Sequence, residues 1–118
     1  MPGLPTAGPW DYLLLVLKRR RLFRVEGSSM QPVLAEGDGV ITARIPGNDP
    51  LRVSDIVVAK HPFQADIVLV KRISAIEDNR FHLLGDRPAE STDSRSLGAF
   101  GPDLILGRAI ARVPGRSS

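Results

Sequence analysis

The chain has 118 residues, 42% of them hydrophobic and 25% charged, a size and balance that fit one globular domain and exclude a disordered chain. It has no cysteine, which excludes disulfides, thiol catalysis and Cys-ligated zinc, and its two histidines, His61 and His82, leave little for a metal site; no cofactor is expected. The net charge of +3 comes from 13 Arg and only 3 Lys, and no aromatic-rich strand accompanies it, so nucleic acid is not an expected partner.

Residues 1–9, with three Pro and two Gly, read as a flexible tail. Trp10 to Leu17 reads as a short apolar helix closed by the basic run Lys18-Arg19-Arg20-Arg21. It is too short to span a bilayer, which takes about 20 residues. Its charges follow the apolar stretch, the reverse of a signal peptide's order. Two readings stand: a helix packed on the domain, which is preferred, or a peripheral membrane contact through residues 10–21 with the basic run on anionic lipid heads.

Beyond Arg24 the pattern changes to strands. Val40–Arg44 and Asp55–Ala59 are short β-branched runs, separated by the turn-forming stretch Pro46-Gly47-Asn48-Asp49-Pro50, and Ile67–Ile73, Phe81–Leu84 and Ile105–Val113 read as further strands. The expected fold is mainly β: a compact, barrel-like antiparallel sheet with a short N-terminal helix. Residues 1–24 form the tail and helix, 25–113 the domain, and 114–118 a C-terminal tail.

Within Ile67–Ile73, alternation puts Ile67, Leu69, Lys71 and Ile73 on one face and Val68, Val70 and Arg72 on the other. An ammonium among aliphatic side chains loses hydration, which lowers its pKa and favours the neutral amine, a competent general base. Lys60 has a similar setting beside Ile56 and Val58, so alternation alone does not choose between the two lysines, and a lysine snorkelling from a strand end remains open.

Three stretches choose Lys71. Gly27-Ser28-Ser29-Met30-Gln31-Pro32-Val33-Leu34, followed by Glu36-Gly37-Asp38, resembles the nucleophile box of type I signal peptidases. Val57–Ile73, with its Lys71-Arg72 pair, resembles the region that holds the family's general base. Gly85-Asp86-Arg87-Pro88-Ala89-Glu90-Ser91-Thr92-Asp93-Ser94-Arg95 is similar to its last conserved box. Together, in this order, the three are specific, although each alone is weak.

The resemblance implies a serine endopeptidase with Ser29 as nucleophile and Lys71 as base, a Ser-Lys variant of the triad logic. It implies that Ser91 orients the lysine, with Ser94 as an alternative, that Asp93 and Arg95 brace the loop, and that Gly85 avoids crowding the lysine. Gly27, Ser28, Met30 and Pro32 fall to the oxyanion and substrate-binding region, where the backbone N–H of Ser29 is one donor. Gly27 stands where some members have a hydroxyl, Arg87 where the family has asparagine, and Ser54 where it often has glycine.

The stretch His61-Pro62-Phe63-Gln64-x-Asp66-x-x-x-Val70-Lys71-Arg72 is similar to the nickel-type superoxide dismutase maturation proteases. That likeness implies a protein partner, the dismutase precursor with its N-terminal leader, a cytoplasmic setting, and His61 as a marker of the subgroup rather than a ligand. A general signal peptidase acting on secretory leaders is the second reading, and a non-enzymatic basic β-barrel binding module the third. A LexA-type repressor does not fit, because 24 residues before the nucleophile box leave no room for a helix-turn-helix.

Overall fold

The computed structural model describes residues 3–17, 19–26, 30–45, 49–64, 66–87 and 93–115. Six strands form an antiparallel sheet: β1 Arg21–Arg24, β2 Gly39–Ala43, β3 Ile56–Lys60, β4 Val68–Glu77, β5 Arg80–Leu84 and β6 Ile105–Val113. Their spatial order is β1-β2-β6-β3-β4-β5, so the last strand of the chain lies inside the sheet, between β2 and β3. A short helix, α1 Pro9–Val16, precedes the sheet; α2 Ser94–Leu97 and a 3-10 turn at Pro102–Leu104 lie between β5 and β6. The mainly β expectation holds, with the sheet open and β1 and β5 at its ends.

β3 shows why its sequence is apolar without a break. Ile56 and Val58 enter one buried cluster with Val25, Met30, Leu34, Val40 and Ala109. Val57 and Ala59 enter another with Ile73, Phe81, Leu83 and Phe100. Both faces of this strand are covered, so no position in it calls for a polar side chain until Lys60 at its end. The β4–β5 hairpin turns on Asp78 and Asn79, at φ 49° and 60°. Two successive positive φ values match the twist of the flanking strands, and Asp and Asn tolerate them better than most residues.

Three elements depart from the sequence expectation. Arg21–Arg24 is a strand, with Leu22 opposite Ile41 and Phe23 opposite Val40, and the Arg21 guanidinium lies 4.9 Å from the centre of the Phe23 ring. β4 runs past Ile73 to Glu77, with a register shift between Ile73 and Ala75 that lets the strand continue against β5. Finally, α1 is not the expected packed helix, since none of its residues is buried. The chain before it is tied down instead: Ala7 N–H donates to Arg112 O, and Arg112 N–H to Pro5 O, both at 2.8 Å.

Candidate active site

Pairing with β3 fixes the setting of Lys71. Val57 lies opposite Lys71 and Ala59 opposite Leu69, and opposite residues of an antiparallel pair share a face. With Ile73 two positions on, the amine's stem rises from an aliphatic floor and Lys71 is only 3% exposed. Lys60, at the end of β3, is exposed. Burial therefore separates the two lysines that alternation could not. That burial pushes the Lys71 pKa down, the Asp93 carboxylate opposes the shift, and Arg95 adds to it by repulsion.

Asp93 is fully buried, and its charge is largely spoken for. It caps α2 by accepting the Arg95 N–H at 3.0 Å, and it also accepts the Gly85 N–H at 2.9 Å. The Arg95 guanidinium closes on it through Nε, at 3.0 Å, and through Nη2. An acid bound in this way holds Asp93–Arg95 against Gly85 at the end of β5 while drawing less of a proton toward Lys71 than an unpaired carboxylate would. Ser94 accepts the Leu83 N–H on its Oγ at 2.8 Å, which ties the loop to β5 a second time.

Arg72 sits on the opposite face of β4 and joins the three sequence motifs. It donates from Nε to Asp86 Oδ1 and from Nη2 to Oδ2, both at 2.9 Å, and from Nη1 to the Ser54 carbonyl at 2.9 Å. The Asp86 N–H in turn meets Met30 Sδ at 3.4 Å, and Arg87 Nη1 donates to Gln31 Oε1 at 2.6 Å. The stretch after the proposed nucleophile, the lysine strand and the Gly85-Asp86 turn are thus one connected unit. Ser54 holds φ at 83°, a conformation that favours glycine.

Beside Lys71 lies a cleft of about 310 Å³, walled by Arg24–Glu26 and Met30 on one side and by Asp66–Lys71 on the other. β5 covers β4 only from Arg72 onward, where it pairs with Leu84. Among the described residues, no strand lies against the outer edge of Val68–Val70. The turn that leads into this edge is held by His61, whose Nδ1 accepts the N–H groups of Phe63 at 3.1 Å and Gln64 at 3.2 Å. A larger concavity, of about 840 Å³, lies among Arg19, Arg20, Arg21 and Arg44, and Lys71 is not in its wall.

Of the expected site residues, Met30, Lys71, Gly85, Asp93 and Arg95 meet in this region. Pro32 lies exposed in the turn that follows Met30. Ser29, Gly27, Ser28 and Ser91 lie outside the described residues. The sequence reading gave no role to the Arg72–Asp86 pair. A signal for it was present, because a cation alternating with Val68 and Val70 on a buried face needs an acid.

A family model, signal peptidase, peptidase S26, matches residues 12–80, more than half of the chain. The matched stretch includes Ser29 and Lys71, and the Gly85–Arg95 box lies beyond it. No curated protein matches the chain.

Proposed function

The chain belongs to the signal peptidase family, peptidase S26, a family of serine peptidases, and on that premise we propose that it removes an N-terminal leader from a precursor protein, with Ser29 as nucleophile and Lys71 as general base. The observation that carries the reading is Lys71 itself: a buried amine with a lowered pKa, at the wall of a cleft that Met30, next to Ser29 in the chain, also lines.

The substrate enters as an extended strand along the open edge of Val68–Val70, with backbone hydrogen bonds giving affinity and small pockets selecting side chains. The neutral Lys71 Nζ takes the Ser29 hydroxyl proton as Oγ attacks the scissile carbonyl. The Ser29 backbone N–H receives the oxyanion. As the tetrahedral centre collapses, the C–N bond breaks and the Lys71 ammonium returns the proton to the leaving amine. Water, deprotonated by Lys71, then attacks the acyl ester, and Ser29 leaves with the proton restored.

The substrate we propose is the nickel-type superoxide dismutase precursor, processed in the cytoplasm. The His61–Arg72 stretch supports this choice, and so does the chemistry of the product: a backbone amine can ligate nickel only after cleavage frees a new N-terminus. Co-expression with that precursor, followed by mass spectrometry, tests the proposal. The expected product is dismutase shortened to the histidine that opens its nickel-binding hook. An intact precursor alongside efficient cleavage of secretory leaders would assign the chain to general signal-peptide processing instead.

A further inference from the structure

His61 is only 8% exposed, in a turn that leaves Phe63, Gln64 and Asp66 open to solvent. Its imidazole works as an acceptor. Nδ1 receives the Phe63 N–H at 3.1 Å and the Gln64 N–H at 3.2 Å, so the ring is neutral and carries its proton on Nε2. The His61 backbone N–H donates to Ile67 O, and the Ile67 N–H to Gln64 O, both at 2.9 Å. The ring also meets that of Phe63 edge-on, with centroids 6.1 Å apart. Sequence likeness gives this buried acceptor no chemical role.

The turn leads straight into the open edge of β4. Val68, Leu69 and Val70 pair with Lys60, Ala59 and Val58 on their inner side, and among the described residues no strand lies on the outer side. Such an edge offers alternate N–H and C=O groups outward, and an incoming strand pairs with them only where their spacing is kept. Downstream, the edge is held by the pairing of Arg72 with Leu84 and by the Arg72–Asp86 ion pair. Upstream, its anchor is the turn that His61 gathers.

We propose that His61 is a positioning residue for the substrate: its Nδ1 holds the turn closed, so that the edge from Ile67 to Val70 stands ordered before the leader strand arrives. The inference rests on the peptidase reading above and adds the residue that prepares the binding edge. Without an acceptor at that place, the Phe63 and Gln64 N–H groups turn to water and the upstream end of the edge frays. A frayed edge has to be ordered again when the substrate binds, and that ordering is subtracted from affinity. Lys71 lies beyond the fray, paired with Val57 in the interior of the sheet, so the chemical step is left alone. The defect belongs to binding: KM rises and kcat stays.

Three substitutions separate the acceptor from the ring. Asn places Oδ1 where Nδ1 stands, Gln places its amide where Nε2 stands, and Phe keeps a ring against Phe63 with no acceptor. On a leader-derived peptide, His61→Gln and His61→Phe raise KM about tenfold, the scale of one or two hydrogen bonds, and leave kcat within about twofold. His61→Asn keeps both near the parent values. The same order appears in the Kd of the labelled peptide for the full chain carrying Ser29→Ala, read by fluorescence anisotropy. Thermal melts show that each variant is folded at the assay temperature, and two loss variants of different polarity keep the test open where one is not. A parent KM in folded His61→Gln or His61→Phe overturns the proposal. Loss in His61→Asn equal to that in His61→Phe overturns it in favour of ring packing, and a fall in kcat at constant KM overturns it in favour of a part in the chemistry. Where the parent cleaves the peptide, these results sink this inference alone. A parent that does not cleave it, with Ser29→Ala that does not bind it, removes the peptidase reading as well.

Discussion

The bidentate pair between Arg72 and Asp86 ties the three motifs together, and Asp86→Asn tests how much it holds. The Arg72 side chain is 6% exposed and that of Asp86 18%. Removing the carboxylate charge takes from a buried guanidinium the anion to which its Nε and Nη2 both donate, while the bond from Nη1 to the Ser54 carbonyl stays. Breaking a buried pair from one side costs about 3–5 kcal/mol, and the partial exposure of Asp86 places the cost near about 3 kcal/mol. For 118 residues the unfolding entropy is about 250 cal/mol/K, so 1 kcal/mol moves Tm by about 4 °C and the variant should melt about 12 °C below the parent. Thermal unfolding followed by circular dichroism reads this directly. The exposed Arg52–Asp49 pair is the control, and Arg52→Gln should move Tm by less than about 2 °C. Arg72→Leu combined with Asp86→Leu should recover most of the loss, because no charge is left buried. A Tm for Asp86→Asn within about 2 °C of the parent would refute the claim that this pair braces the site.

Other perturbations have a sign fixed by the structure. Arg95→Gln removes a cation that lowers the Lys71 pKa and exposes Lys71 to a less neutralised Asp93, so the rise of activity with pH should move to higher pH; a rate profile checks it. Lys71→Met should raise Tm at neutral pH. The Lys71 pKa is lowered in the folded state, so its contribution to stability is fully present above the unfolded value of 10.5 and is lost as pH falls through the folded value. The gain from Lys71→Met should therefore shrink toward pH 10.5, as thermal melts across pH would show. Gly37→Ala should cost about 1–2 kcal/mol in a denaturant titration. The glycine sits at φ 92° with nothing within 4 Å of an added Cβ, so the cost is conformational alone.

The strands were legible where β-branched runs end at turn residues, because local composition and tertiary packing there demand the same thing. β1 escaped notice because Arg21-Leu22-Phe23-Arg24 continues a basic run and is only four residues long. Its pairing with β2 makes it a strand, and no local pattern shows that pairing. The exposure of α1 was hidden for a related reason: an apolar octet says that water is unfavourable for it but not what covers it.

The site was legible by residue type and only partly by setting. Lys60 and Lys71 share the same alternating pattern. Yet Lys60 pairs with Val68 at the start of β4, where the sheet opens to solvent, whereas Lys71 pairs with Val57 in its interior. Burial of that kind belongs to the sheet and not to the strand. The Arg72–Asp86 pair follows from the hairpin register, since Leu84 lies opposite Arg72 and alternation carries Asp86 onto the same face two residues later. That register required the turn at Asp78-Asn79 and the shift after Ile73, and the sequence shows only the first.

The central claim is that a neutral Lys71 activates Ser29. The dependence of kcat/KM on pH, measured on a leader-derived peptide, tests it most directly, because that profile reports the essential base of the free enzyme. The account predicts an ascending limb with its midpoint below the ordinary lysine value of 10.5, displaced in the direction set by burial. Activity should be absent from Ser29→Ala and Lys71→Met, and retained by Ser28→Ala and Lys60→Met. Cleavage by Lys71→Met at the parent rate, or loss of activity in Lys60→Met alone, would contradict it.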